Sequence, residues 1–60
     1  MARFTIYNDK AGEYRWRLQA NNNRTTADSG EGYKTLSEAE RAVARVKTEV
    51  ATATVDKPKS

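Results

Sequence analysis

The sequence predicts an α+β fold, in which a three-stranded antiparallel meander is covered on one face by a single helix. A fourth, C-terminal strand is expected to be exchanged between two subunits, so that a βββαβ unit joins its copy in one continuous sheet. Three observations support this prediction. Residues 3–8 and 13–20 alternate between polar and apolar side chains, as half-buried strands do. Residues 37–40 have a helix-capping pattern, and residues 51–55 alternate again directly after the helix.

The first two strands are predicted to form a hairpin. Residues 8–12 lie between the two alternating segments and are rich in turn-forming types, and Gly12 can adopt a positive φ without strain. One side of each strand is apolar and is expected to face the helix. The core residues predicted on that side are Phe4, Ile6, Tyr14, Trp16 and Leu18.

A third and more polar strand is predicted over residues 24–28, after the run of asparagines at 21–23. Asparagine tolerates left-handed backbone conformations, because its short side chain hydrogen-bonds locally. A tight two-residue turn centred on two of these asparagines would place Thr25 and Ala27 on the core face. Arg24 would then lie on the opposite, outer face.

The helix is predicted to begin after Ser37 and to run from Glu38 to Glu49 or Val50. Ser37 and Glu40 match a capping box, in which each side chain accepts from the backbone amide of the other residue. Apolar residues then recur at helical spacing and form one stripe. Its members are Ala39, Val43, Val46 and Val50, and the three valines complete the predicted core.

The segment after the helix admits two interpretations. Alternation and β-branching over Thr52, Ala53, Thr54 and Val55 favour a strand. Because no Gly, Pro, Asn or Asp separates this segment from the helix, a return to the chain's own sheet is disfavoured and pairing with a second copy is expected. The alternative is that the helix continues to Thr54. Residues 1–55 are predicted to form the domain, and residues 56–60 are predicted to form a flexible polar tail.

The composition limits the classes of function. The 60 residues contain no Cys and no His, so disulfides, most metal sites and the usual catalytic bases and nucleophiles are missing. We therefore expect no enzyme activity, no cofactor and no metal. A chain of this length buries only about 60% of its unfolded surface, so a second copy is the expected source of further stability. The leading expectation is a homodimeric, non-enzymatic structural or interaction module.

The net charge of +3 is compatible with nucleic-acid binding but does not require it. With no long apolar run and no signal-like N-terminus, the chain is expected to be cytoplasmic and not to bind membranes. The predicted outer sheet face is basic, and its members are Arg3, Tyr7, Arg15, Arg17, Gln19 and Arg24. This face is expected to be solvated, to bind nucleic acid without sequence preference, or to contact another protein.

Two segments together resemble the YegP-like family of small domains with no assigned function. They are Gly-Glu-Tyr-Arg-Trp-Arg-Leu at residues 12–18 and Ser-Gly-Glu-Gly-Tyr at residues 29–33. The resemblance covers residues 3–47 and implies a βββαβ unit with exchanged C-terminal strands, in tandem or as a dimer of single units. This chain departs from the family at Asn22-Asn23, where Asn-Gly is usual, and at Thr25-Thr26, where two aliphatic residues are usual. The family implies no catalytic or ligand-binding residues.

Overall fold

The computed structural model describes residues 1–59 and contains three strands followed by one helix. The strands are β1 (Arg3–Asn8), β2 (Tyr14–Gln19) and β3 (Thr25–Asp28), and the helix is α1 (Leu36–Val50). The strands form one antiparallel sheet in the order β1-β2-β3. The predicted meander and single helix are therefore confirmed.

The β1–β2 hairpin forms as predicted, with the predicted apolar residues on one face. Phe4 lies opposite Leu18, and Ile6 lies opposite Trp16, so the apolar side chains of both strands share one face of the sheet. The rings of Phe4 and Trp16 meet edge to face, with centroids 5.5 Å apart and an interplanar angle of 72°. Trp16 is only 7% exposed and is the largest buried side chain of the described chain. It is the centre of the core.

The second turn differs from the prediction. Residues 21–23 form a three-residue loop, closed by a hydrogen bond from the Ala20 amide to the Arg24 carbonyl at 2.9 Å. Asn23 takes the left-handed conformation at φ 66°, which asparagine tolerates better than most residues. The predicted two-residue turn is therefore wrong.

A β-bulge follows the turn and changes the faces of β3. The register shifts between Leu18 and Gln19, so that Ala27 lies opposite Leu18 while Thr25 lies opposite Gln19. Ala27 is thus on the core face as predicted, but Thr25 is on the outer face and its predicted placement is wrong. The physical reason is that the loop is one residue longer than the predicted turn, which reverses the face of Thr25. The extra residue at the bulge reverses the alternation again and returns Ala27 to the core face.

The helix begins two residues earlier than predicted. Thr35 is the N-cap: its hydroxyl accepts from the Glu38 amide at 3.1 Å, and the Glu38 carboxylate accepts from the Thr35 amide at 3.2 Å. Ser37 lies inside the first turn, so the predicted Ser37–Glu40 box is wrong. Thr35 and Glu38 offer the same capping chemistry, and the extended backbone of Thr35 (φ −127°, ψ 153°) is suited to it.

The buried face of α1 consists of small residues. Ala39 is 0% exposed and Ala42 is 4% exposed, whereas Val43 and Val46 are half-buried. Val50 is 64% exposed, so its predicted place in the core is wrong. The helix packs on β2 and β1 through the turns that hold the two alanines, because small side chains allow close approach, and its last turn remains exposed.

The chain after α1 is exposed. Ala51 caps the helix, and the Thr52 amide bonds to the Glu49 carbonyl at 3.2 Å, so the helix does not continue to Thr54. In this single chain no strand forms over residues 52–55, and Val55 is 80% exposed. Residues 56–59 are also exposed and have no regular secondary structure. Ser60, the end of the predicted tail, lies outside the described residues.

The fold has a very small interior. Within residues 1–59, the buried apolar side chains are Trp16, Ala39 and Ala42. One helix therefore packs on one face of one sheet, and the core between these two layers is incomplete.

Candidate interaction surface

The face of the sheet opposite the helix carries most of the predicted interaction residues. Arg3 lies opposite Gln19, and Tyr7 lies opposite Arg15, while Arg17 lies on the same side between them. We call this set, with Thr5 opposite Arg17, the outer face. Five of the six residues that the sequence predicts there are indeed together: Arg3, Tyr7, Arg15, Arg17 and Gln19.

Arg24 is the exception. It pairs with Ala20, which continues the face of Trp16 and Leu18. Arg24 is therefore on the helix side of the sheet rather than beside Arg17 and Gln19. Its backbone amide donates to the Asn22 side chain at 3.1 Å. The three-residue loop pairs Arg24 with Ala20 and so moves it off the outer face, which makes that prediction wrong. Asp28 lies opposite Arg17, on the outer face, as expected for the residue that follows Ala27 in a strand.

Arg17 and Tyr7 form the centre of the outer face. The Arg17 guanidinium carbon lies 4.2 Å from the centroid of the Tyr7 ring. This geometry is a cation–π contact, worth about 0.5–1 kcal/mol at an exposed site. The Arg17 Nε atom is buried and has no hydrogen-bond partner within the described chain. The contact places the guanidinium over the ring.

Arg15 is bound to a carboxylate. Its Nε atom donates to Asp9 at 2.6 Å. The other Asp9 oxygen accepts from the amides of Ala11 at 2.9 Å and Glu13 at 3.0 Å, which closes the first turn. The Arg15 hydrogen bond, aided by these two amides, lowers the pKa of Asp9, and the same pairing raises the pKa of Arg15. Arg15 therefore stabilises the hairpin and adds little net charge to the surface.

Arg3 and Gln19 connect the outer face to the second turn through Asn23. The Arg3 guanidinium donates to the Asn23 side chain at 3.3 Å, and the Gln19 amide donates to the Asn23 carbonyl at 3.2 Å. Thr5 donates to Gln19 at 3.4 Å. Asn23 and Thr5 were not predicted as surface contacts. Thr5 could have been added from strand alternation alone, whereas the contribution of Asn23 depends on the turn conformation.

The surface offers guanidinium and amide donors and one aromatic ring, with the Asp28 carboxylate on the neighbouring strand. Within residues 1–59, no three Asp or Glu side chains lie close enough together to hold a metal ion. The single helix of the described chain is too short and too polar to cross a membrane. The outer face is suited to recognition of an acceptor-rich or negatively charged surface.

Replacing Asp9 with asparagine is expected to lower the melting temperature at neutral pH, since Arg15 loses its charged acceptor. The pKa of Asp9 is lower in the folded state, so its contribution is complete above its unfolded pKa and is lost as the pH falls through the folded value. The wild-type chain should lose stability below about pH 5, and D9N should lose less over the same range. Melting curves from pH 7 to pH 2 measure this, with D56N on the exposed C-terminal segment as the control. Equal pH slopes for D9N and wild type would contradict the assignment.

Comparison with known proteins gives the same fold and a family. A family model described as a domain of unknown function, DUF1508, matches residues 9–56. The UPF0339 protein Atu0232 of Agrobacterium fabrum is 49% identical over 47 residues, covering 78% of this chain and 74% of the relative.

Two solution structures are also similar. A protein from Haloferax volcanii superposes with a TM-score of 0.87 at 38% identity, over 95% of each chain. Protein ATU0232 from Agrobacterium tumefaciens superposes with a TM-score of 0.77 at 44% identity, over 95% of this chain and 90% of that one. The match over residues 9–56 includes both segments on which the resemblance depends. The chain therefore belongs to the UPF0339 family of YegP-like proteins, which carry the DUF1508 domain.

Proposed function

We propose that this protein is a non-enzymatic interaction module that works as a homodimer, in which each chain donates residues 52–55 to the sheet of its twin. The proposal depends on two observations. The alternating, β-branched segment 52–55 is exposed, and the core contains only three buried side chains within the described residues. In solvent the backbone amides and carbonyls of such a segment bond only to water. Pairing with a sheet edge would give them partners in the protein.

The incomplete core supports the same proposal. Ordering the chain costs roughly 1–2 kcal/mol per residue, and a core of this size offsets that cost by a narrow margin. Large apolar side chains remain exposed on the helix and after it: Leu36 is 47%, Val50 is 64% and Val55 is 80% exposed. A second copy would remove such surface from water at a gain of about 25 cal/mol per Å².

The sheet offers edges that can accept a strand. The order β1-β2-β3 leaves β1 and β3 each with one unpaired side. β3 has four residues and all of them are exposed, so the helix does not cover this short strand. Because edge strands present rows of free amides and carbonyls, one added strand per subunit would extend the sheet of each chain and join the two sheets.

Sedimentation equilibrium at micromolar concentration should give twice the chain mass of 6.7 kDa. Isotope-filtered NMR on a mixture of labelled and unlabelled chains should show contacts from residues 52–55 of one chain to an edge strand of the other. A folded species of 6.7 kDa would contradict the dimer. A dimer whose intermolecular contacts exclude residues 52–55 would contradict the strand exchange.

A second candidate function is low-affinity, sequence-independent binding of nucleic acid. The observation in its favour is that, within residues 1–59, Arg3 and Arg17 of the outer face form no ion pair with a carboxylate. Since Arg15 is paired with Asp9 and Arg24 lies off this face, about two phosphate contacts are available, and a plot of log K against log salt should have a slope near −2 for duplex DNA.

Fluorescence anisotropy with a labelled duplex at several salt concentrations tests this second function. R17A should weaken binding and make the salt slope shallower by about 1. K47A, which removes the same charge from the exposed face of α1, should change it less. Either no binding at low salt or a slope that R17A leaves unchanged would exclude the outer face as a nucleic-acid surface.

A further inference from the structure

A groove between α1 and the end of the sheet carries a second cluster of polar side chains. It has a volume of about 220 Å³ and is lined by Tyr33, Glu38, Arg41 and Arg45. The helix supplies three of these residues from one face, because positions three and four apart lie above one another. Tyr33 closes the groove from the sheet side. This cluster is separate from the outer face, which lies across the sheet from the helix.

Tyr33 is held firmly in place. Its backbone amide and carbonyl both bond to Tyr14, at 2.7 Å each, which makes an isolated β-bridge beyond the end of β3. The residue is half-buried. The two backbone bonds fix the main chain of Tyr33 at the sheet side of the groove, where its hydroxyl is a possible donor.

Among the described residues, Glu38 is the carboxylate that lines the groove, and one of its oxygens is engaged by the helix N-cap. Glu38 Oε1 accepts from the Thr35 amide at 3.2 Å and from the Thr35 hydroxyl at 3.1 Å, and its charge lies at the positive end of the helix. Within residues 1–59, neither Arg41 nor Arg45 forms an ion pair. Two guanidinium groups one helical turn apart repel each other, so the helix would be more stable with an anion between them.

We propose that this groove binds a phosphate group, with Arg41 and Arg45 as charged donors and the Tyr33 hydroxyl as a third donor. A phosphate group has several strong acceptor oxygens and can bond both guanidinium groups at once. A bound phosphate would place negative charge between the two guanidinium groups, so each group would make an attractive contact with it. The proposal does not depend on dimer formation or on the outer face.

An NMR titration with inorganic phosphate at pH 7 tests it, with sodium chloride added to keep the ionic strength constant. Saturable amide shifts should appear over residues 33–45. R41Q and R45Q should each raise the dissociation constant about tenfold, as expected for loss of a charge-assisted hydrogen bond. Glutamine is a good helix former, so these exposed positions should keep their fold.

Two further variants complete the test. Y33F removes only the hydroxyl and should raise the dissociation constant about threefold. R24Q removes the same charge from a site outside the groove and should leave the constant within about twofold. The same titration with phenyl phosphate should saturate the same amides if the ligand is a phosphate ester. Shifts that never saturate for either probe, or an R24Q effect as large as that of R41Q, would overturn the proposal.

Discussion

Replacing Trp16 with alanine is expected to leave the chain largely unfolded at room temperature. Removal of a buried tryptophan costs about 3–5 kcal/mol. A domain of this length has a total stability of about 3–9 kcal/mol at typical values per residue. Trp16 is the largest of the buried side chains and contacts Phe4 edge to face, so no other large side chain can take its place. The expected result is a urea midpoint near zero by far-UV circular dichroism.

Two variants make this test specific. W16F keeps an aromatic ring and removes the indole Nε1 atom, which is buried without a hydrogen-bond partner in the described chain. Its cost should be less than half that of W16A, because an unpaired buried donor is itself unfavourable. L36A removes an apolar side chain that is 47% exposed and should have a small effect. An unchanged midpoint in W16A would mean that the core is not built around this residue.

Deleting residues 51–60 is expected to unfold the protein rather than only to separate two subunits. If the exchanged strand completes each sheet, its removal leaves an open edge and uncovers apolar surface on both chains. Deleting only residues 56–60 should leave the stability and the oligomeric state unchanged, since the described part of that segment is exposed and has no regular structure. Thermal melts by circular dichroism, together with sedimentation at equal protein concentration, compare the two truncations. A full truncation with the wild-type melting curve would rule out the proposed role of the segment.

A point substitution gives the same test without shortening the chain. Val55 is 80% exposed in the single chain, so V55D should change stability by less than about 0.5 kcal/mol if the chain acts alone. If Val55 packs against a second copy of the chain, the aspartate places a charge in a buried contact. Both the mass of the species in solution and the melting temperature should then fall. T54D introduces the same charge on the other side of the strand and should have the smaller effect.

Local patterns predicted the secondary structure and most of the two sheet faces. Period-2 alternation gave the two faces of β1 and β2 because a strand places successive side chains on opposite faces. The same rule placed Arg3, Tyr7, Arg15, Arg17 and Gln19 together. It failed at Thr25 and Arg24, because the loop has three residues rather than two and a shift of one residue reverses every face that follows it.

The helix shows what the sequence alone determined and what required the tertiary structure. Spacing and composition determined that a helix follows the sheet and that Ala39 faces inward. They did not separate Thr35-x-x-Glu38 from Ser37-x-x-Glu40 as the cap, since both have the same hydrogen-bonding chemistry. Tertiary packing decided that Ala42 is buried and Val50 exposed, because burial depends on where the helix lies on the sheet. The groove between Tyr33 and the two arginines likewise exists only once strand and helix are packed together, since residues distant in sequence become neighbours through tertiary contacts.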